Sequence, residues 1–275
     1  MEQETAKLSE DETQQKLVAS PWSLHPILEG NRRVFLGVPM HLVTMRETLA
    51  LAVEAMRAKR SLHHCVVNVA KIVSAQADAE LWQDVAGADL INIDGAGVVW
   101  GARLLGEKVP ERVAGVDIMT NLFRECGENG FRPFLLGATE DVLQGVCEQL
   151  AIEHPDLKVA GKQHGYFGPD EEQSIVEAIN ASGADCLFVA MPTPRKERFL
   201  HRNRGQLLPS FVMGVGGSFD VYAGKVKRAP YLVQRLGLEW LFRIAQEPRR
   251  LWRRYYTTNT RYAVLLWRAY SRKSS

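Results

Sequence analysis

The sequence predicts an α/β fold, namely a Rossmann-like, mostly parallel sheet with helices on both faces and a helical appendage at the C-terminus. Three observations support this prediction. Short apolar segments alternate along the 275 residues with segments that repeat apolar residues at helical spacing. The strand-like segments are apolar throughout, which is typical of parallel strands buried on both faces. Finally, the residues from Lys225 onward differ sharply in composition from those before them.

Three strands and two helices are predicted before Gly95. The strands are short apolar segments bounded by polar or glycine positions, and the helices carry apolar residues three and four positions apart. The predicted strands are Arg33–Gly37, His64–Asn68 and Asp89–Asp94, and the predicted helices are Thr44–Lys59 and Ala70–Val85.

After Gly97 the alternation of strand and helix becomes regular. Asp117 and Thr139 are residue types that cap helix N-termini, and Pro169, Pro230 and Pro248 are placed to begin helices. The predicted helices are Ile118–Asn129, Glu140–Ile152, Asp170–Ala181 and Glu197–Asn203, and the predicted strands are Pro133–Gly137, Leu157–Ala160, Ala184–Met191 and Phe211–Val215.

Composition divides the chain into three parts. Residues 1–24 are acidic and polar, which predicts a disordered tail and is the opposite of a secretory signal peptide. Residues 25–224 form the predicted Rossmann-like domain, and residues 225–275 form the appendage. No run of about 18 apolar residues is present, so we expect no membrane-spanning helix. The four cysteines lie far apart, so we expect reduced thiols, no metal site and a cytoplasmic protein.

The appendage combines basic and aromatic residues. Residues 225–275 contain 13 Lys and Arg, two acidic residues and nine aromatic residues, whereas the whole chain has a net charge of +2. Residues 1–224 are therefore acidic, at about −9 by difference. This composition favours docking on an anionic membrane, with contact to RNA or DNA and a merely solvated helix face as alternatives. Because a nucleic-acid-binding protein would carry basic residues on its body as well, we expect no nucleic-acid partner.

Four predicted strand ends carry residues suited to ligand binding. Ligands of an open parallel sheet lie beyond the carboxyl ends of its strands, and glycine turns let backbone N–H groups approach a phosphate there. Glycine also serves simply to turn the chain. No G-x-G-x-x-G or P-loop sequence is present, so a nucleotide diphosphate is favoured over a nicotinamide cofactor and an oxidoreductase. The positions are Asn68, Asp94 with Gly95 and Gly97, Gly137, and Gly214 with Gly216 and Gly217.

Asp94 and Arg112 are the side chains best suited to chemistry. A carboxylate at the end of an apolar strand is partly desolvated, which raises its pKa and suits a general base. The alternative is that Asp94 caps the helix that begins near Val98. An arginine can bind a phosphate through two parallel hydrogen bonds, although Arg112 could equally pair with Glu111 or Asp117.

An ordered set of longer motifs runs from Asp94 to Arg250. The motifs are Asp94-Gly-Ala-Gly-Val-Val99, Arg112-Val-Ala-Gly-Val-Asp117, Pro194-Arg-Lys-Glu197, Gly214-Val-Gly-Gly-Ser-Phe-Asp220, Ala223-Gly-Lys-Val-Lys-Arg-Ala-Pro230, Gly237-Leu-Glu-Trp-Leu-Phe-Arg243 and Glu247-Pro-Arg-Arg250. Together they resemble the WecG/TagA/CpsF family of bacterial glycosyltransferases over about residues 33–260. The resemblance implies inverting transfer of a sugar from a UDP-sugar to an undecaprenyl-diphosphate-linked acceptor, in the synthesis of teichoic-acid-like polymers or exopolysaccharide.

The resemblance also implies partners and residue roles. Asp94 would be the general base for the acceptor hydroxyl, and Arg112 would act at the leaving diphosphate. No metal or other cofactor is implied, and self-association and peripheral attachment to the inner face of the cytoplasmic membrane are expected. The donor and its diphosphate would be bound by Asn68, Gly95, Gly97, Gly137, Lys196, Gly214, Gly216 and Gly217. The appendage would reach diphosphate or membrane through Arg228, Arg243, Arg250, Arg253 and Arg254.

Two positions depart from the family pattern. Val66 stands where the family commonly has threonine, and Lys196 stands where it has glutamine. Both changes predict a working transferase with an altered donor or acceptor preference. Its donor sugar is expected to be of the hexose or N-acetylhexosamine type, and N-acetylmannosamine is not assumed. The alternative is a non-catalytic, membrane-bound scaffold of a polysaccharide assembly complex. Such a scaffold would need neither Asp94 nor Arg112.

Overall fold

The computed structural model describes residues 20–273, with the side chain of Arg250 left out. The strands are β1 Arg32–Phe35, β2 Val38–His41, β3 Leu62–Val67, β4 Leu90–Ile93, β5 Pro133–Gly137, β6 Gly161–Gln163, β7 Cys186–Ala190 and β8 Phe211–Gly214. The helices are α1 Pro26–Asn31, α2 Met45–Ala58, α3 Val69–Ala75, α4 Ala79–Ala86, α5 Ala96–Leu104, α6 Gly115–Asn129, α7 Glu140–Glu153, α8 Glu172–Ala181, α9 Arg195–Arg202, α10 Ser218–Tyr222, α11 Tyr231–Arg235, α12 Glu239–Gln246 and α13 Pro248–Lys273.

One six-stranded sheet forms the centre of the molecule. Its strand order is β4-β3-β8-β7-β5-β6, and every neighbouring pair is parallel. Helices follow the strands and flank the sheet, so the predicted α/β class is confirmed. No helix within residues 20–273 is long and apolar enough to cross a membrane. The division of the chain at residue 225 stays a prediction.

Both faces of the sheet are covered, which explains why every strand except β6 is mostly apolar without alternation. Successive strand residues point to opposite faces. On β3, Leu62 and Val66 belong to the core shared with α2 and α6, whereas Cys65 and Val67 belong to the core shared with α3, α4 and α5. A third apolar cluster lies between β5, β7 and β8 and the helices α8 and α9.

A separate hairpin of β1 and β2 was only half predicted. The first strand was placed correctly, but the chain then turns at Leu36 and Gly37, both with positive φ, and returns as an antiparallel second strand. That second strand contains Pro39, which cannot donate a backbone hydrogen bond and is tolerated at the edge of a small sheet. Because proline is rare in strands, the sequence pattern did not predict β2.

Two further predictions of local structure were wrong. The single helix over 70–85 is two helices, because Asp78 caps α4 by accepting a hydrogen bond from the backbone N–H of Leu81 at 2.9 Å. The strand predicted at Leu157–Ala160 lies instead at Gly161–Gln163. A Cβ atom at Gly161 would lie 2.7 Å from the Phe134 ring, so only glycine fits beside β5 at this register.

The chain before α1 is part of the core. The predicted tail covers residues 1–24, of which residues 1–19 lie outside the described part of the chain. Trp22 falls within that predicted tail but is fully buried. Its indole N–H donates to the backbone carbonyl of Ser61 at 2.7 Å, and the Arg60 guanidinium lies 3.8 Å from the ring centroid. This segment is therefore held against the body at Trp22.

We expect Trp22→Ala to lower the free energy of unfolding by about 3–5 kcal/mol, because it empties a fully buried site and removes the hydrogen bond to Ser61. Equilibrium urea denaturation followed by circular dichroism measures this change. Tyr166→Ala is the matched control, since the Tyr166 side chain is exposed. A loss below about 1 kcal/mol for Trp22→Ala would show that the segment does not contribute to the core.

Candidate active site

The carboxyl ends of β3, β4 and β8 meet at one edge of the sheet. β3 lies between β4 and β8 in the sheet. Ligands of open α/β sheets bind beyond the carboxyl ends of the strands. Asn68 follows β3, Asp94 follows β4, and Gly214 ends β8. The structure therefore brings these predicted site positions together.

Asp94 lies half-buried in the turn between β4 and α5. Its backbone N–H donates to the carbonyl of Val67 at 2.9 Å, which fixes the turn to β3. Burial raises the pKa of the Asp94 carboxyl, and the Glu239 carboxylate adds to that increase, whereas Arg112 and the backbone amide of Gly115 oppose it. The N-cap residue of α5 is Gly95, so Asp94 is not that cap. The Asp94 carboxylate therefore binds a proton more tightly than an ordinary aspartate does, and it lies at the carboxyl ends of the strands, where a ligand would bind.

Arg112 makes a contact that the sequence did not indicate. Its guanidinium donates to the carboxylate of Glu239, which lies in α12 of the appendage, 127 residues further along the chain. Neither Glu111 nor Asp117 is its partner, since the Glu111 carboxylate accepts from the backbone N–H of Met45. Glu239 is one of two acids in the appendage, and it also acts on the pKa of Asp94. Asp94, Arg112 and Glu239 thus form one charged group at the edge of the sheet.

A second ion pair joins the appendage to the body beside this group. Both oxygens of Asp117 pair with the guanidinium of Arg228, each at 2.7 Å. Asp117 was predicted to cap the following helix, which is wrong, because α6 begins two residues earlier, at Gly115, with Ala114 as its N-cap residue. Because Asp117 is not the cap residue, its carboxylate pairs with Arg228. Arg228 therefore anchors the appendage rather than lying open to solvent.

The glycines beside Asp94 are required by packing. A Cβ atom at Gly97 would lie 2.9 Å from the Val69 side chain, and one at Gly95 would lie 3.3 Å from Asn68. These glycines let the start of α5 approach the turn after β3. Gly216 has a φ of +56°, and nothing lies within 4 Å of the position that its Cβ would take. Of the predicted phosphate-binding glycines, Gly216 in the turn after β8 therefore has open space in front of its backbone.

Gly137 lies apart from the other site positions. It ends β5, which is four strand spacings from β4, or about 19 Å at roughly 4.8 Å per spacing. A Cβ atom there would lie 2.4 Å from the backbone carbonyl oxygen of Ala190, and its φ of +114° also requires glycine. The structure explains Gly137 by the close approach of β5 and β7 and does not bring it next to Asp94.

Lys196 belongs to a buried ionic cluster that the sequence did not reveal. Its ammonium lies 2.7 Å from Glu197 Oε1, and the ammonium of Lys71 lies 2.8 Å from the same oxygen. All three side chains are less than a tenth exposed. Although burial alone would raise the pKa of Glu197, the two ammonium groups lower it to about 2. Burial and the neighbouring Lys71 charge lower the pKa of Lys196.

The cluster lies against two predicted donor-binding residues. The side chain of Lys196 is 3.1 Å from the position that a Cβ of Gly214 would take, so glycine is needed to admit the lysine. Asn68 accepts a hydrogen bond from the backbone N–H of Lys71 at 3.0 Å and thereby caps α3. In this structure Lys196 and Asn68 both make internal hydrogen bonds, and their roles towards a donor stay predictions.

The structure describes three further arginines that were predicted to reach diphosphate or membrane. Arg253 and Arg254 are exposed on α13, and the side chain of Arg250 lies outside the described part of the chain. Arg243 of α12 is close enough to lower the pKa of Asp94. Tyr262, which the sequence analysis did not single out, connects α13 to α5 by donating its hydroxyl to the carbonyl of Gly97 at 2.9 Å.

Within residues 20–273, no group of three or more His, Cys, Asp or Glu side chains is arranged to hold a metal ion.

Comparison with known proteins agrees with this architecture. Residues 33–275 match the sequence profile described as the glycosyl transferase WecG/TagA/CpsF family. The chain is also similar to a protein of Bacillus subtilis (strain 168) named N-acetylglucosaminyldiphosphoundecaprenol N-acetyl-beta-D-mannosaminyltransferase. The two are 35% identical over 188 residues, which are 68% of this chain and 72% of that relative. The chain therefore belongs to the WecG/TagA/CpsF family of glycosyltransferases.

Proposed function

We propose that this glycosyltransferase moves a hexose or N-acetylhexosamine-type sugar, with inversion, from a UDP-sugar to a polyprenyl-diphosphate-linked saccharide in cell-surface polysaccharide synthesis. The observation that carries the proposal is the juxtaposition of Asp94, a carboxyl of raised pKa, with Arg112 at the ligand edge of the sheet. The name of the Bacillus relative supports an acceptor of the N-acetylglucosaminyl-diphosphoundecaprenol type.

Asp94 acts in this proposal as the general base. Its carboxylate takes the proton from the acceptor hydroxyl while that oxygen attacks the anomeric carbon of the donor. The bond between the anomeric carbon and the diphosphate oxygen breaks, and UDP leaves with the electron pair. Because attack and departure occur on opposite faces of the sugar, the configuration inverts. A carboxyl whose pKa lies above the ordinary aspartate value accepts the proton more readily at neutral pH.

Arg112 stabilises the negative charge that develops on the leaving diphosphate. Guanidinium groups bind phosphates through parallel hydrogen bonds, and such stabilisation is strongest where water is excluded. In the structure this guanidinium is bound by Glu239, so the diphosphate would share Arg112 with Glu239 or displace it. The open turn at Gly216 offers backbone N–H groups to the same diphosphate.

The donor sugar is expected to differ from that of the Bacillus relative. Val66 lies beside Gly115, 3.6 Å from the position that a Cβ of that glycine would take, and so close to Asp94. Valine has no hydroxyl with which to bind a sugar, whereas the family commonly has threonine here. Lys196 places a second ammonium beside Glu197, which also pairs with Lys71. The buried residues next to the turn after β8 therefore carry one more positive charge than they would with glutamine at position 196.

The appendage is proposed to hold the enzyme on the inner face of the cytoplasmic membrane as a peripheral protein. Its 13 basic residues match an anionic lipid surface, and its exposed aromatic side chains suit the interfacial region of a bilayer. Trp252, Tyr256 and Trp267 of α13 are all exposed. Because the appendage is bound to the body around Asp94, docking would place the site at the lipid-linked acceptor.

Asp94→Asn is expected to lower the transfer rate by about 10²–10⁴, because the amide cannot accept the proton. The assay measures UDP release by full-length protein with N-acetylglucosaminyl-diphosphate-polyprenol in anionic vesicles and a panel of UDP-sugars. Asp156→Asn is the control, since Asp156 is exposed and lies away from the strand ends. An unchanged rate in Asp94→Asn, with the fold intact by circular dichroism, would contradict the assignment of the base.

The pH dependence of kcat/KM is expected to report the same carboxylate. Because a base works only when deprotonated, activity should fall as the pH drops through a pKa above the ordinary aspartate value of about 3.9. Glu239→Gln removes a negative charge that raises the pKa of Asp94, so the acidic limb should move to lower pH. Glu128→Gln, in a surface pair with Arg124, should leave it in place. A limb that stays fixed or moves upward in Glu239→Gln contradicts the coupling.

Replacing Arg253 and Arg254 by glutamine is expected to weaken binding to anionic vesicles by roughly 30-fold, at about 1 kcal/mol for each basic residue near the surface. Co-sedimentation with vesicles containing phosphatidylglycerol measures the partition coefficient, and the difference should shrink in high salt. Arg57→Gln with Arg124→Gln, both exposed on the body, is the matched control. Equal losses in the two double variants would mean that net charge alone, and not the appendage, drives binding.

A further inference from the structure

Helix α5 exposes two large apolar side chains next to the candidate active site. Trp100 is 54% exposed and Leu104 is 56% exposed. They are four residues apart and therefore lie on one side of the helix. The inner side of α5 is buried, through Val98 and Ala102 among others. The helix begins two residues after Asp94. We call Trp100 and Leu104 the α5 patch.

The α5 patch adjoins apolar residues of the appendage. Gly237, between α11 and α12, lies so close to α5 that a Cβ there would be 2.7 Å from Ala96 Cβ and 2.9 Å from the Trp100 ring. Its φ of +71° is a second reason for glycine. Two exposed side chains, Leu236 and Trp240, flank this contact in the sequence. The surface formed by α11 and α12 is thus continuous with Trp100 on the catalytic body.

The positive charge of the appendage indicates which kind of partner this surface binds. The appendage carries 13 basic and two acidic residues, so a second copy placed on the same surface would bring like charges together. An anionic bilayer instead attracts the basic residues and accepts the apolar ones. Tryptophan in particular prefers the boundary between lipid headgroups and acyl chains. Exposed apolar side chains next to a basic appendage match an anionic lipid surface.

We propose that the α5 patch inserts into the interfacial region of an anionic bilayer, so that the catalytic body docks on the membrane together with the appendage. This inference rests on the membrane attachment in the proposed function and assigns part of it to the body. Trp100 is four residues, or about 6 Å along the helix axis, from Ala96 at the start of α5, and Asp94 lies two residues before that start. Insertion of Trp100 therefore holds the Asp94 carboxylate just above the lipid surface, where the diphosphate of a lipid-linked acceptor lies.

The test compares vesicle binding of full-length variants. Trp100→Ala with Leu104→Ala is expected to lower the partition coefficient on phosphatidylglycerol vesicles by about 10- to 100-fold, because two half-exposed apolar side chains no longer enter the bilayer. Ile152→Ala with Tyr166→Ala is the matched control, since these residues are 75% and 72% exposed on other parts of the body. Equal partition of the α5 double variant and wild type would overturn the inference.

A conservative variant guards against a purely structural effect. Trp100→Phe keeps a large apolar side chain against Gly237 and should bind vesicles within about threefold of wild type. Brominated lipids should quench tryptophan fluorescence less in Trp100→Phe than in wild type, because the inserted indole is gone. Undiminished quenching would show that Trp100 lies outside the bilayer. Gel filtration completes the test, since a wild-type dimer that the α5 double variant abolishes, with vesicle binding intact, would make the patch a contact between copies.

UDP release separates this inference from the proposed function. With acceptor in vesicles, the α5 double variant should lose about as much activity as binding, and with acceptor in detergent micelles it should match wild type. Wild-type transfer together with patch-independent vesicle binding would overturn the α5 inference and leave the proposed function standing. If the wild-type protein transfers no sugar but its vesicle binding depends on the α5 patch, the proposed function is overturned and the α5 inference stands.

Discussion

A parallel sheet covered on both faces is the constraint on which the rest of this molecule depends. Five of its six strands are buried along their whole length, so few of their side chains are polar, and the exceptions are His63, His64 and Asn92. The polar side chains suited to catalysis or binding therefore lie at the ends of the strands, where loops begin. Asp94 takes this position after β4, and Asn68 takes it after β3. The candidate site lies there because a carboxylate and a phosphate-binding turn can meet where neighbouring parallel strands end.

Two ion pairs join the body to the appendage, and one of them reverses the average charges of the two parts. The body is acidic, yet it contributes Arg112, and the appendage is basic, yet it contributes Glu239 to the same ion pair. In the second pair, the acidic body contributes Asp117 and the basic appendage contributes Arg228. The Asp117 carboxylate accepts two hydrogen bonds from the Arg228 guanidinium. Because both pairs lie beside Asp94, the appendage shapes the electrostatics of the site directly. Movement of the appendage on a membrane would therefore change the proton affinity of Asp94 and the availability of Arg112.

The structure changes the interpretation of Lys196, which forms an ionic cluster with Lys71 and Glu197. In the sequence, Lys196 looks like a charge added to a substrate site. In the structure, its ammonium is bound by Glu197 and by the hydroxyl of Thr193 at 2.5 Å. Burying three charges requires such pairing, since an unpaired ammonium in this environment would be strongly destabilising. Lys196 is thus part of the interior beneath the turn after β8, and its role towards a donor stays a prediction.

The sequence by itself determined the fold class, most helices and strands, and the placement of Asp94 at a strand end, because these depend on patterns within about twenty residues. Thr139 caps its helix as predicted, since capping is a contact with the next turn. Where a local pattern was broken by one polar residue or proline, as at Asp78 and Pro39, boundaries were missed. Only the tertiary structure decided the partner of Arg112, the anchoring role of Arg228 and the contact of Gly237 with α5. These link residues more than 100 positions apart, and no local propensity specifies which distant side chain the folded sheet brings within reach.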